Sequence, residues 1–393
     1  VVIWALGSVL WRTTIIPRHI RIVDVYITVT VAWLAMICAG AVPYLATRTL
    51  TSVDTALFEA VSGFTTTGAT VISDIEAVSR GTLFWRSTTQ WLGGMGVIVL
   101  VVAVLPTIGA GGMNLIQAEA PGPTTDKIHP RIKETAKRIW LIYIGLTALL
   151  AVILRMEGMT LFDAINHAFT TMATGGFSTK NDSVAFWNGM PAVQYIIIAF
   201  MLIAGTNFVL TYFALKGKVQ KVFKSEEFKY YAIGILLIST IVTIVILFFQ
   251  DPSLQTSIEH PMVWGKTESA IRHALFAVIS VVTTTGFVTA DFTMWSFFIT
   301  ALFFSLFFLG GSAGSTSGGV KIVRHIIMLK NGFLEFKRTL HPNAIIPVRY
   351  NKRSISQNIV FNIIAFFVLY LVVFALGALG FGFLGLDYMT ALG

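Results

Sequence analysis

Phe58-Glu59-Ala60-Val61-Ser62-Gly63-Phe64-Thr65-Thr66-Thr67-Gly68-Ala69-Thr70 recurs downstream as Phe276-Ala277-Val278-Ile279-Ser280-Val281-Val282-Thr283-Thr284-Thr285-Gly286-Phe287. A looser copy, Asn166-His167-Ala168-Phe169-Thr170-Thr171-Met172-Ala173-Thr174-Gly175-Gly176-Phe177-Ser178, lies between them. Gly68 and Gly175 are 107 residues apart and Gly175 and Gly286 are 111 apart, a near-constant period that marks one structural unit used repeatedly. Each copy is a short apolar segment, below the roughly 20 residues a spanning helix needs. Each ends in hydroxyl residues and a glycine. The pattern predicts a short helix that dips into a membrane, turns on Thr-Gly and comes back out.

Composition supports the membrane. Hydrophobic residues make up 55% of the chain and charged residues 12%, with a mean hydropathy of +0.78. Soluble domains carry about 25% charged residues, so the chain reads as an all-α integral membrane protein. Its one cysteine, Cys38, excludes an intrachain disulfide and a Cys-based metal cluster. Long apolar runs cover 22–46, 83–106, 139–154, 192–215, 230–249, 292–309 and 359–379. With the short segments between them, the order is span, dip, span, repeated.

The units follow from that order. Residues 1–21 read as the end of a preceding membrane helix plus a cytoplasmic link, and 22–113 as the first pore unit. Residues 114–137 form a cytoplasmic linker, 138–217 the second unit, and 218–340 the third, with a broken second helix. Residues 341–393 start a fourth unit. Counting on from Asp387 by the spacing of the other copies puts a fourth glycine at roughly 399 to 401. The fourth unit is therefore expected to be incomplete here, and Val1 to reach into a helix that begins earlier.

Of the 28 Lys and Arg residues, 21 fall in one set of connecting segments and 7 in the other. Basic residues gather on the cytoplasmic side, which puts all three dipping segments outside. The same asymmetry accounts for the net charge of +9 without nucleic acid. The basic linkers suit anionic lipid or a cytosolic partner.

Irregular backbone at membrane depth is tolerated only where it is packed in protein or lines a wet cavity. Three Thr-Gly turns at similar depth imply a shared aqueous path. Rings of peptide oxygens can replace the water shell of a cation, and the carbonyl end of each short helix adds partial negative charge. The competing reading is of ordinary outer loops with helix-ending glycines.

These residues, with Trp85-Arg86-Ser87, Gln90-Trp91-Leu92-Gly93-Gly94-Met95-Gly96 and Phe162-Asp163-Ala164-Ile165, resemble the membrane subunit of Trk-type potassium uptake systems, in the Trk/Ktr/HKT superfamily. The resemblance covers essentially the whole chain. It implies a pseudo-fourfold repeat of helix–re-entrant pore loop–helix units with one filter glycine from each, here Gly68, Gly175 and Gly286. Thr66, Thr67, Thr174, Thr284 and Thr285 would flank them. It also implies potassium ions as cargo, a homodimer, a cytosolic nucleotide-binding regulatory subunit and a place in the bacterial inner membrane. Relatives with serine at the first filter position tend to admit sodium, so Gly68 favours potassium. A sodium-permeable relative and a non-conducting chain lacking the fourth loop remain the competing readings.

Leu309-Gly310-Gly311-Ser312-Ala313-Gly314-Ser315-Thr316-Ser317-Gly318-Gly319-Val320-Lys321 follows an apolar run. It is not a phosphate-binding loop, because Val320 separates Gly319 from Lys321 and no strand precedes it. It reads as an unwound stretch inside a spanning helix, which the resemblance makes an intramembrane gate from Gly310 to Gly319. A kinked, closely packed helix is the alternative. Glu59 and Asp163 either concentrate cations or cap helices. His167 and His273 are expected to be buried and hydrogen-bonded, and Arg86 and Arg272 to pair with acids or reach for the interface. No His-Glu-x-x-His pattern, Gly-x-Ser-x-Gly elbow or hydrolytic acid pair is present, so an enzyme is not expected.

Overall fold

The computed structural model describes residues 22–96, 132–249, 261–341, 343–344 and 346–392. In chain order its helices are α1 (Ile22–Ala46), α2 (Val53–Phe64), α3 (Arg80–Gly94), α4 (Ile132–Met156), α5 (Leu161–Met172), α6 (Pro191–Ala204), α7 (Phe208–Leu215), α8 (Val219–Lys224), α9 (Glu226–Phe249), α10 (Lys266–Val282), α11 (Phe297–Leu306), α12 (Ile322–Leu340), α13 (Gln357–Phe383) and α14 (Tyr388–Leu392). Between α12 and α13 stands a small antiparallel hairpin of β1 (Arg349–Tyr350) and β2 (Arg353–Ser354). Its turn residues Asn351 and Lys352 both have positive φ, as a two-residue hairpin turn requires.

Four of the described helices, α1, α4, α9 and α13, are long and apolar enough to cross a membrane. Each is followed by a shorter helix: α2, α5, α10 and α14. The shorter helices have start signals that hydropathy does not see. Thr160 Oγ1 accepts the Asp163 N–H, and the Asp163 carboxylate accepts the Thr160 hydroxyl at 2.6 Å, a reciprocal cap. At α14, Asp387 accepts the Thr390 N–H at 3.1 Å.

The buried core lies where α4, α5, α6, α9 and α10 meet, around Tyr143, Leu150, Ala168, Met172, Ile197, Met201, Val242, Phe276 and Val278. Large apolar side chains face outward along α13, including Phe361, Leu369, Leu376 and Leu379. In water such a face would be a liability, whereas in a bilayer it is the solvent-matched surface. Cys38 is exposed on α1.

Two apolar runs differ from expectation. Residues 192–215 are not one span: α6 and α7 meet at a bend of 111° across Gly205-Thr206-Asn207. The run 292–309 holds only ten α-helical residues, in α11, after a 3-10 turn at Phe292–Met294. Asp291 and Ser296 cap backbone N–H groups at Thr293 and Ile299 and so start two short elements where hydropathy shows one. The run 83–106 begins as α3, and its part beyond Gly96 lies outside the described residues, as do residues 1–21 and most of the linker 114–137.

Candidate functional site

Helices α2, α5 and α10 end at Phe64, Met172 and Val282, and the next residues take one backbone shape three times. Thr66, Thr174 and Thr284 have φ of 55°, 52° and 54°. Two residues on, Gly68, Gly176 and Gly286 have φ of 84°, 77° and 80°. A β-branched residue at positive φ is a steric outlier that costs about 1–3 kcal/mol. Such a cost at three equivalent places marks a shape the fold imposes. The same hydrogen bonds hold it each time. Thr66, Thr174 and Thr284 donate N–H to the carbonyls of Gly63, Thr171 and Val281, and Thr67, Gly175 and Thr285 donate to those of Ser62, Thr170 and Ser280. The Ser62 and Ser280 hydroxyls reach across to the carbonyls of Ala69 and Phe287.

This register corrects one expectation. Gly175 occupies the position of Thr67 and Thr285, and the counterpart of Gly68 and Gly286 is Gly176. The tandem Gly175-Gly176 offered two glycines for one slot, and only the backbone angles separate them.

The loops pack in sequence. A Cβ added at Gly68 would lie 2.3 Å from the Gly175 carbonyl oxygen, and one at Gly176 would lie 2.0 Å from that of Thr285. The first loop therefore abuts the second, and the second abuts the third. At Gly286 the equivalent position meets no described atom within 4 Å.

Side chains lock the segment after each turn to its helix. The Glu59 carboxylate, fully buried, accepts from the Thr70 hydroxyl at 2.9 Å, the Val71 N–H at 3.1 Å and Arg86 Nε at 2.6 Å. His167 fills the place of Glu59 in the second copy, with Nε2 2.9 Å from the Ser178 hydroxyl. Asp163 accepts from Thr179 at 2.6 Å, and His273 makes the matching contact with Thr289 at 3.0 Å. Both histidines are thus held in hydrogen bonds as expected. Among the described residues no group of three or more His, Cys, Asp or Glu could hold a metal ion.

Helix α3 joins the first two copies. Arg86 donates to the Ser178 carbonyl at 3.1 Å and lies over the Phe177 ring at 3.6 Å. Gln90, also buried, donates Nε2–H to the Gly175 carbonyl at 2.6 Å and accepts the Phe177 N–H at 3.1 Å. Nothing in the local sequence marks the role of Gln90; only the fold brings it to a loop 85 positions away. Arg272 in α10 pairs with Glu268 at 2.8 Å and bonds Gln194 of α6. Beyond the loops, Asn181 accepts the Ile75 N–H at 2.7 Å and donates to Asp74 at 3.0 Å. The bond from Asn181 holds the Asp74 carboxyl below its usual range.

The glycine-rich segment 310–319 lies directly against these loops. The Gly318 N–H donates to the Thr284 hydroxyl at 2.6 Å. The Thr316 hydroxyl reaches the Met172 carbonyl at 3.0 Å and the Ala204 carbonyl at 3.3 Å, capping the ends of α5 and α6. Ser312 donates to the Gly205 carbonyl at 2.8 Å, and the Gly314 carbonyl accepts the Phe208 N–H at 3.1 Å. The break between α6 and α7 and the break between α11 and α12 therefore meet beneath the same turn. The Asn207 side chain caps α7 through the Val209 N–H at 2.8 Å.

The family described as TrkH cation transport protein matches residues 1–380. The chain is 38% identical to the Trk system potassium uptake protein TrkH of Salmonella typhimurium over 392 residues, covering 98% of this chain and 78% of that protein. It is 34% identical to the Trk system potassium uptake protein TrkG of Escherichia coli, covering 100% of this chain and 79% of the other. The crystal structure of the potassium transporter TrkH from Vibrio parahaemolyticus superposes with a TM-score of 0.83 at 35% identity, covering 99% of this chain and 78% of that one. On these matches, and on a helical architecture that agrees with them, the chain belongs to the TrkH family of cation transport proteins.

Proposed function

We propose that this multi-pass membrane protein carries potassium ions inward across the cytoplasmic membrane, along a path bounded by the turns at Thr66–Gly68, Thr174–Gly176 and Thr284–Gly286. One observation carries the reading: the same strained turn occurs three times, and its copies pack edge to edge. Strain conserved across three copies within one chain is expected where backbone oxygens must be aimed. Helix α14 follows α13 as α2, α5 and α10 follow their own long helices, so it starts a fourth copy, which would stand beside Gly286. The negative interior potential, worth about 2.3 kcal/mol per charge per 100 mV, drives uptake. Segment 310–319 is the gate. Its Thr316 hydroxyl occupies the Met172 carbonyl, a helix-end acceptor that would otherwise face the cation. The resemblance adds a homodimer and a cytosolic nucleotide-binding regulatory subunit as partners.

The test is rubidium uptake by the full-length protein in vesicles held interior-negative, with potassium or sodium as competitor. Potassium is expected to compete at far lower concentration than sodium, and Gly68→Ala to abolish uptake, since the new Cβ meets backbone and φ is +84°. Equal competition by sodium, or wild-type uptake by Gly68→Ala, would refute the reading.

A further inference from the structure

We infer that Glu227 is the residue that positions the gate, and that it couples the gate to the cytoplasmic hairpin. The inference rests on reading 310–319 as the gating segment. Glu227 lies in the first turn of α9 and is buried, 4% exposed. One carboxylate oxygen accepts the Ala313 N–H at 2.6 Å, inside the glycine-rich segment. The other is 3.5 Å from the hydroxyl of Tyr350 in β1, at the outer limit of a hydrogen bond. Burial, reinforced by Glu227, pushes the Tyr350 hydroxyl far above the usual phenol range, so it stays a donor.

The hairpin is fixed to the same helix start by further contacts. Asn351 in the turn accepts the Glu226 N–H at 3.0 Å. Lys330 of α12 pairs with Glu226 and also donates to the Arg349 carbonyl at 3.0 Å. Tyr350 and Val348 pack with Val323, Ile326 and Ile327 of α12, and Ala313 lies against this cluster. Lys321, whose charge is felt by Glu227, turns its ammonium back to the Ser317 carbonyl. A displacement of the hairpin is therefore transmitted to the gate through one carboxylate. The hairpin's outward groups, Arg349, Lys352 and Arg353, are all exposed and offer a handle to an acidic surface.

A buried backbone N–H left without its acceptor is costly, and losing the Glu227 side-chain oxygen releases the segment it holds. The experiment measures rubidium permeability of vesicles containing the full-length protein, alongside half-saturation and potassium-over-sodium preference. Glu227→Ala is expected to raise basal permeability about tenfold with half-saturation and ion preference unchanged, because the filter turns are untouched. Glu227→Asp, one methylene too short to reach Ala313, is expected to rise as well. Glu227→Gln keeps an acceptor for that N–H and is expected to stay within about twofold of wild type. Wild-type permeability in Glu227→Asp, equal leak in the Ala and Gln variants, or loss of ion preference along with the leak would each overturn the inference. If Glu227→Ala does not reach the membrane, Glu227→Asp decides. Absence of uptake by the wild type is a separate result, and would refute the transport reading instead.

Discussion

Gly175 and Gly176 are adjacent, yet the structure gives them different work. Gly176 has φ of +77°, and a Cβ there would sit 2.0 Å from a backbone oxygen of the neighbouring loop. Neither strain nor clash can relax without moving the third loop. Gly175 carries no positive φ, and its added Cβ would meet the Gln90 side chain at 2.4–2.7 Å. A side chain can move, although at the cost of the two hydrogen bonds that Gln90 makes to the loop. Gly176→Ala is therefore expected to abolish uptake and to lower the melting temperature of the purified protein. Gly175→Ala should retain part of the uptake, and Gln90→Ala should restore its melting temperature further by removing the clash. Uptake and thermal unfolding of the two single variants and the double variant check the order; a Gly175→Ala protein more damaged than Gly176→Ala would reverse the register.

At the scale of elements, the bend between α6 and α7 depends on a cap. Asn207 supplies the side-chain oxygen for the first turn of α7, and a Cβ added at Gly314 of the glycine-rich segment would lie 3.3–3.5 Å from its amide group. Asn207→Ala is expected to cost about 1 kcal/mol of stability through the lost cap, read as a lower midpoint in thermal unfolding, and to alter uptake because Gly314 loses its neighbour. The long helices and the three recurring turns were legible because hydropathy and repetition are local properties of the chain. The bend was not: a run from Ala192 to Leu215 averages as apolar, and Gly205-Thr206-Asn207 is too short to dent the average. Its only signal was a helix-ending glycine followed two residues later by a capping asparagine. The pairing of Arg86 with an acid was legible and falls on Glu59, but its bond to the Ser178 carbonyl and the ties made by Gln90 and Glu227 were illegible for another reason. A buried polar side chain must find a partner, but the sequence does not say which distant loop provides it.

At the scale of the whole molecule, the basic hairpin and the other basic linkers must share one side of the membrane, and the segments flanking the three turns must share the other. The charge asymmetry assigns those sides: 21 of the 28 basic residues belong to the hairpin's side. The structure makes the assignment testable, because exposed residues are available on both faces of the three-loop assembly. Val263, 51% exposed, precedes α10 on the side where the loops open. Lys337 is exposed near the end of α12, on the hairpin's side. With Cys38 replaced by serine, Val263→Cys should react with a membrane-impermeant maleimide on intact cells, whereas Lys337→Cys should react only after permeabilisation. The reverse pattern would turn the molecule over. The three turns would then open to the cytoplasm and the basic hairpin would face outward, while the interior-negative potential would still draw cations in. Labelling of both sites on intact cells would mean that α10 and α12 lie on one side, which no single crossing between them allows.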